Sequence, residues 1–247
     1  YIVNAKKYFA SGCPAGDMLI TSAPFDDPEL GSIVMHFPVP MSAEGVSIEE
    51  NWKAMGMRAT GSHCVVLENV FVPETAIALK RPAEKFHPVW NTVLGVALPL
   101  IMSTYAGVAE KAAENARQTA KGKTGDAARP YLLGEMENAL TTAKLAQQSM
   151  VALADDLNFD PCEELTNEMV KRKTITAKAV IETTTKALEA SGGPGYIRGQ
   201  VIERLVRDSF ACQFHPMQEK RQILFTGRMA MGLPPIDAGE TLQPEKA

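Results

Sequence analysis

Residues 187–208 read ALEASGGPGYIRGQVIERLVRD, and this stretch decides how the second half of the chain divides. A helical pattern stops at Gly192-Gly193-Pro194-Gly195 and restarts before Arg207-Asp208. Glycines let main chain approach a ligand closely, and a helix that resumes after them can turn unpaired N–H groups and a positive dipole end toward phosphate. The same residues also make an ordinary C-cap and turn, so the cluster alone leaves both readings open.

On both sides of this break, from about Val89 onward, apolar residues recur at helical spacing and predict helices near 89–120, 129–158, 163–191, 199–214 and 216–232. The stretches 121–126 (KGKTGD) and 158–161 (NFDP) punctuate them. From Tyr1 to about Pro82 the texture changes. Short β-branched or aromatic segments at 1–3, 8–10, 17–22, 32–38, 62–67 and 70–72 alternate with Gly, Pro and Asp, an all-β pattern. The expected fold is α+β: a partial β-barrel or sheet domain over 1–82, an antiparallel four-helix-bundle-like domain over 83–235, and an extended tail over 236–247.

At 247 residues and 45% hydrophobic, the chain can bury one large core or two moderate ones. The net charge is −4 and the cations are dispersed, so nothing suggests a nucleic-acid or membrane-surface partner. Cysteines 13, 64, 162 and 212 form no C-x-x-C pair and no metal-ligand spacing with the histidines. No metal site is expected, and the thiols suit the reducing cytoplasm. The longest apolar run, 93–109, contains Pro99, Ser103, Thr104 and Tyr105 and runs into Glu110 and Lys111, which reads as a buried helix rather than a membrane span. No secretory or transit signal opens the chain. It starts without methionine inside a strand-like segment, which suggests a fragment.

Other side chains have structural readings. Glu203, four residues before Arg207, supports a helix, Asp208 can pair locally, and Arg58 reads as a loop anchor. Leu140, Leu145, Val151 and Leu157 are expected in core or subunit packing.

Four features occur in order: residues 52–62 (WKAMGMRATGS), residues 65–73 (VVLENVFVP), the run 192–196 (GGPGY), and Arg207-Asp208. In this combination the chain resembles the acyl-CoA dehydrogenase superfamily, over the later part of its middle β domain and its C-terminal helical domain. The resemblance implies bound FAD. It places Phe9 and Ser11 beside the flavin ring, and period-two spacing puts both on one sheet face. It places Gly192 and Gly193 near the FAD pyrophosphate or ribitol. Glu189 stands where members often carry Gln, which brings an acceptor near phosphate. Arg117 corresponds to an arginine at the end of the first long helix, although QTAKG follows it here in place of x-x-Phe-Gly; a solvated helix-end cation is the alternative reading.

The activity implied is α,β-dehydrogenation of an acyl-CoA thioester, in which a base takes the α proton while the β hydrogen leaves as hydride to the flavin. Many members carry the base as a Glu soon after Arg-Asp. The corresponding stretch here is His215-Pro216-Met217-Gln218, with Pro216 at the catalytic position. The family's other location for the base falls near Ala97, and residues 93–101 hold no carboxylate. Glu219 is the nearest acid and is expected to point to another helix face. His215 is therefore the candidate proton-transfer residue, with a capping or core histidine as the alternative. Three further readings stand beside the dehydrogenase: a flavin-dependent monooxygenase of the same fold using His215, a catalytically silent subunit of a heteromeric dehydrogenase, and an interaction module with an empty cleft. The partners implied are an acyl-CoA or other small-molecule substrate, a flavin electron acceptor, and further copies or subunits in a homo- or hetero-oligomer joined through the C-terminal helices.

Overall fold

A computed structural model describes residues 1–123 and 125–236 of the chain. They form two compact units, Tyr1–His87 and Pro88–Ile236. Of the expected tail, residues 237–247 lie outside the described residues.

In the first unit, β1 (Ile2–Ala10) pairs antiparallel with β5 (His63–Phe71), which also pairs with β4 (Val46–Glu49). β2 (Met18–Asp27) pairs with β3 (Gly31–Pro40), and β3 with β6 (Leu79–Pro82). Two three-stranded antiparallel sheets result, in the orders β1-β5-β4 and β2-β3-β6. Alternation along β3 explains the burial: Ile33, Met35, Phe37 and Val39 point inward and join Val65, Leu67, Val70 and Val72 in one core. The β2–β3 turn is set by Asp27, whose Oδ1 accepts the N–H groups of Glu29 and Leu30 at 2.9 and 3.0 Å. Gly45 has φ +84°, and a Cβ there would stand 2.1 Å from the Glu68 carbonyl oxygen, so only glycine lets β4 approach β5. The separate segments expected at 1–3 and 8–10 are one continuous strand. The polar run Asn4-Ala5-Lys6-Lys7 stays in it because Asn4 and Lys6 reach outward, Asn4 to Asn69 and Lys6 to Glu49 at 2.6 Å.

The second unit is helical, with α1 (Val89–Ala120), α2 (Arg129–Ala154), α3 (Glu163–Ser191), α4 (Val201–Ser209) and α5 (Glu219–Ala230). Bonds Arg117–Glu137, Lys144–Glu110 and Gln147–Ser103 run α2 antiparallel to α1. Arg172–Ser149 and Lys186–Glu135 run α3 antiparallel to α2. Small residues let the helices approach closely: Ala109, Ala112, Ala113 and Ala116 of α1 are all fully buried. Met102, Met136, Met150 and Met169 fill the irregular space between them. α1 is long and apolar enough to cross a membrane by length and composition alone, yet Leu94, Leu98, Met102 and Tyr105 are buried within the bundle. Leu140 joins this core, whereas Leu145 (63% exposed), Val151 (44%) and Leu157 (56%) do not. Of the expected core or subunit packing, the core part therefore holds for Leu140 and not for the other three. Leu145 and Val151 lie on α2, and Leu157 ends the turn after it.

Candidate active site

Four buried or half-buried groups converge between α1, α3 and the segment after α4. α1 supplies Tyr105 and α3 supplies Lys173, each 1% exposed. The turn Phe210–Gln213 supplies Cys212, and the loop beyond it supplies His215. The Tyr105 hydroxyl lies 2.8 Å from His215 Nε2, and the two rings pack at 5.5 Å. Lys173 Nζ donates to the carbonyls of Met217 at 3.1 Å and Gln213 at 3.4 Å, gripping the loop on both sides of His215. Cys212 Sγ reaches the Ala177 carbonyl at 3.5 Å.

The electrostatics follow from this dryness. Burial, and after it the Lys173 charge, holds His215 below the ordinary histidine value. Burial pushes the Tyr105 phenol up, with smaller contributions from Cys212 and Asp208. Burial likewise pushes the Cys212 thiol up to about 12. At neutral pH the imidazole, the phenol and the thiol are therefore all uncharged. Glu219 lies in the first turn of α5, where Lys178 binds its carboxylate at 2.7 Å and holds it below the usual range. Pro216, Met217 and Gln218 offer no acid or base between them.

The glycine cluster is built differently. Gly192 closes α3 with φ +72° and ψ −168°, and its N–H donates to the carbonyls of Leu188 and Glu189. Gly195 is buried, and a Cβ on it would lie 3.0 Å from Ser191 and 3.2 Å from Ile202 and Leu188. Gly193 is exposed, and a Cβ there would meet nothing within 4 Å. Beyond the loop, Glu203 accepts the Gly199 N–H at 3.0 Å with one oxygen and Arg207 Nε at 2.7 Å with the other. Those two donors, Arg207 first, hold its carboxyl down to about 2. Glu203 thus ties the residue before the N-cap, Gly199, to the first turn of α4, and its charge suits that helix end.

Glu189 is linked through Lys186 to Glu135, and Arg117 binds Glu137 at 2.6 Å, so both stand in ion pairs on the bundle surface. Neither is near His215. Arg117 follows Tyr105 by twelve residues on α1, about 18 Å, and Glu189 follows Lys173 by sixteen on α3, about 24 Å.

In the β unit, β1 ends at Ala10, and the Ser11 N–H donates to the Phe9 carbonyl at 3.0 Å. Ser11 has therefore left the strand, and the shared-face argument for Phe9 and Ser11 stops one residue short. They are linked instead through neighbouring turns. Phe9, 71% exposed, meets Trp52 edge to face at 5.8 Å, and Trp52 is anchored by the Met57 carbonyl and by His63 Nδ1. Ser11 Oγ lies 2.8 Å from Ser62 Oγ, which lies 2.7 Å from Thr60 Oγ1. Arg58 Nε donates to the Ala54 carbonyl, the loop-anchoring role expected of it. An exposed aromatic ledge beside an ordered run of hydroxyls fits a flavin ring, which offers a flat apolar face and hydrogen-bonding edges. Trp52 and Arg58 lay in the motif quoted from the sequence. Tyr105, Lys173 and Cys212 were not anticipated, although helical phase places Lys173 on the buried stripe of Met169, Val170, Ala177 and Val180.

Residues 93–220 match the family model for the C-terminal domain of acyl-CoA dehydrogenases. The chain belongs to the acyl-CoA dehydrogenase family. Among its relatives, the 3-(aryl)acrylate reductase of Clostridium sporogenes (strain ATCC 15579) is 30% identical over 84% of this chain and 55% of its own length. The dibenzothiophene monooxygenase of Mycolicibacterium goodii is 29% identical over 79% of this chain and 53% of its own. The fold matches that of KijD3, solved with FMN and a dTDP-linked amino sugar, at a TM-score of 0.84 and 23% identity over 94% of this chain and 60% of that one. The chain thus spans a little over half the length of the curated relatives it matches. A flavin is the cofactor that suits this family, and FAD is consistent with the residues present.

Proposed function

We propose that the full-length protein is an FAD-dependent oxidoreductase acting on the α,β-carbons of an acyl-CoA or similar thioester, with His215 in place of the family's carboxylate. One observation carries this reading: the loop after Arg207-Asp208 offers an uncharged imidazole held by Tyr105, while the nearest acid, Glu219, is bound to Lys178. Bound flavin would supply the hydride acceptor. His215, kept deprotonated by burial and by Lys173, is in the state in which a base can take the α proton. Phe9 and Ser11 would pack against and hydrogen-bond the flavin ring. Gly192 and Gly193 would admit the pyrophosphate or ribitol, with Arg117 and Glu189 at the same end of the bundle. The separation of that end from His215 supports an oligomer in which copies share cofactors. A cytoplasmic location belongs to this proposal, and four free cysteines suit it.

A second reading, a flavin-dependent monooxygenase, is favoured by the lack of a carboxylate at residues 215–218 and by the dibenzothiophene monooxygenase among the relatives. The full-length protein mixed anaerobically with a panel of acyl-CoA thioesters separates the readings. Bleaching of the flavin supports dehydrogenation. An unbleached flavin that consumes oxygen once reduced by an external donor supports the monooxygenase, and an inert flavin the silent subunit. A colourless protein that takes up no FAD leaves only the interaction module. On the proposed reading, His215→Ala slows bleaching about 100-fold or more, and Glu219→Ala leaves it nearly unchanged. Equal rates in the two variants would remove His215 from the chemistry.

A further inference from the structure

Lys173 is a buried cation whose part in the reading above is confined to its effect on His215. It lies 1% exposed on α3, and the acceptors it reaches are two main-chain carbonyls, Gln213 and Met217, which flank His215. A lysine taken out of water is costly to keep, and an apolar residue of its volume would pack there without that cost. A clamp on a loop could also be made by a neutral donor. What a lysine adds is a positive charge held at the two carbonyls that flank the imidazole.

We propose that Lys173 is a positioning residue for His215: its ammonium fixes the loop through two carbonyls and sets a positive charge beside the ring. This rests on the reading of His215 as the proton-transfer group. The charge makes a second positive charge on the imidazole unfavourable, so the ring stays a free base, and the Tyr105 hydroxyl orients it through Nε2. For Nδ1 to be free to take a proton, Nε2 carries the ring hydrogen and donates it to the phenol oxygen. The other charged or titratable groups around this pair are accounted for. Tyr105 faces it from α1 and Cys212 from the turn after α4, both kept neutral by burial. Asp208 acts on Tyr105 from α4; burial lowers Lys173 itself from the ordinary lysine value, opposed by Cys212 and by Glu219, which is bound to Lys178. The Lys173 charge is the one that acts directly on the His215 ring.

The test is a titration of His215 by nuclear magnetic resonance in the full-length, FAD-loaded protein with labelled histidine, its signal assigned by its loss in His215→Gln. The wild-type ring should titrate below an ordinary histidine, with the nitrogen shifts of an Nε2–H tautomer. Lys173→Met should move the titration to higher pH, and Lys173→Arg should move it back toward wild type. The acid limb of single-turnover flavin bleaching should move the same way in Lys173→Met. A purely structural clamp would lower the melting temperature of Lys173→Met without moving the titration, and that result overturns the proposal. If Lys173→Met does not fold, the wild-type protein decides: an ordinary or raised titration point, or an Nδ1–H tautomer, overturns it. A flavin that never bleaches beside a titration that shifts as expected would sink the dehydrogenase reading and leave the Lys173–His215 coupling standing.

Discussion

The two ends of the helical bundle solve the placement of polar groups in opposite ways. Around Tyr105, Lys173, Cys212 and His215, polar atoms are taken out of water and each finds one or two partners at fixed geometry. Around Glu189, Gly192 and Arg117, charges stay at the surface in ion pairs, and the backbone bends at glycines that leave open space. The first arrangement is suited to holding a proton-transfer group in one state, because low dielectric and fixed partners make its protonation costly to change. The second is suited to admitting a ligand, since surface pairs rearrange cheaply. If this contrast is real, substitutions at the buried end must cost more, and over a different pH range, than those at the glycine end.

The largest difference is expected for Tyr105. Truncation to alanine removes a fully buried ring from the middle of α1 and leaves a cavity among Met102, Ala106 and Ala109. Tyr105→Ala should therefore lower unfolding free energy by about 3–5 kcal/mol in urea titrations. Tyr105→Phe keeps the ring and strands only His215 Nε2, for about 1–2 kcal/mol. At the other end, Glu189→Ala removes an exposed partner of Lys186 and should stay within about 0.5 kcal/mol. A Glu189→Ala loss as large as that of Tyr105→Ala would break the comparison outright.

The sequence made one of these ends far more legible than the other. The long helices stood out because α1, α2 and α3 combine an apolar period of 3.6 with clear punctuation at 121–126, 158–161 and 192–195, all local signals. The glycine end was legible for the same reason. β4 and β6 were not, being four residues each and held by pairing with strands distant in the chain. The buried polar cluster was the least visible. Lys173 sits in the run Lys171-Arg172-Lys173, which reads as a solvated face, and only its phase relative to Met169 and Val180 separates it from its neighbours. Leu145, Val151 and Leu157 are exposed although apolar, since an apolar position does not reveal whether its partner lies within the chain.

Acid should pull the two ends apart in separate windows. Below the ordinary histidine value of 6.5, the unfolded imidazole of residue 215 takes up a proton that the folded one refuses, because burial and Lys173 hold it down. The unfolded state then binds more protons, so stability is present above 6.5 and is lost as pH falls below it, at no more than about 1.4 kcal/mol per pH unit for one proton. At the glycine end the corresponding group is Glu203, lowered from 4.5 to about 2 by Arg207 and the Gly199 N–H. Its contribution persists above 4.5 and disappears only as pH falls toward 2. His36 is also lowered and adds to the upper window, so the informative quantity is the difference between wild type and variant. His215→Gln should flatten stability below 6.5 and leave the lower window unchanged, and Glu203→Gln should do the reverse. Overlapping windows would mean that the two ends share one environment.

The smallest effect, and the one that sharpens the contrast most, concerns Arg117. Its 2.6 Å pair with Glu137 joins the end of α1 to the start of α2, but both side chains are over two-fifths exposed, so water and salt screen the attraction and two long side chains lose freedom to make it. Arg117→Ala should cost about 0.2–1 kcal/mol at low ionic strength, and that loss should shrink toward zero in about 1 M salt, where screening acts within about 3 Å. The same salt series on Tyr105→Phe should show almost no change, because the bond it removes is neutral and dry. Arg117 can therefore be spared from fold stability. A ligand phosphate that displaced Glu137 from it would sacrifice little, and a solvated helix-end cation would show the same small, salt-sensitive cost.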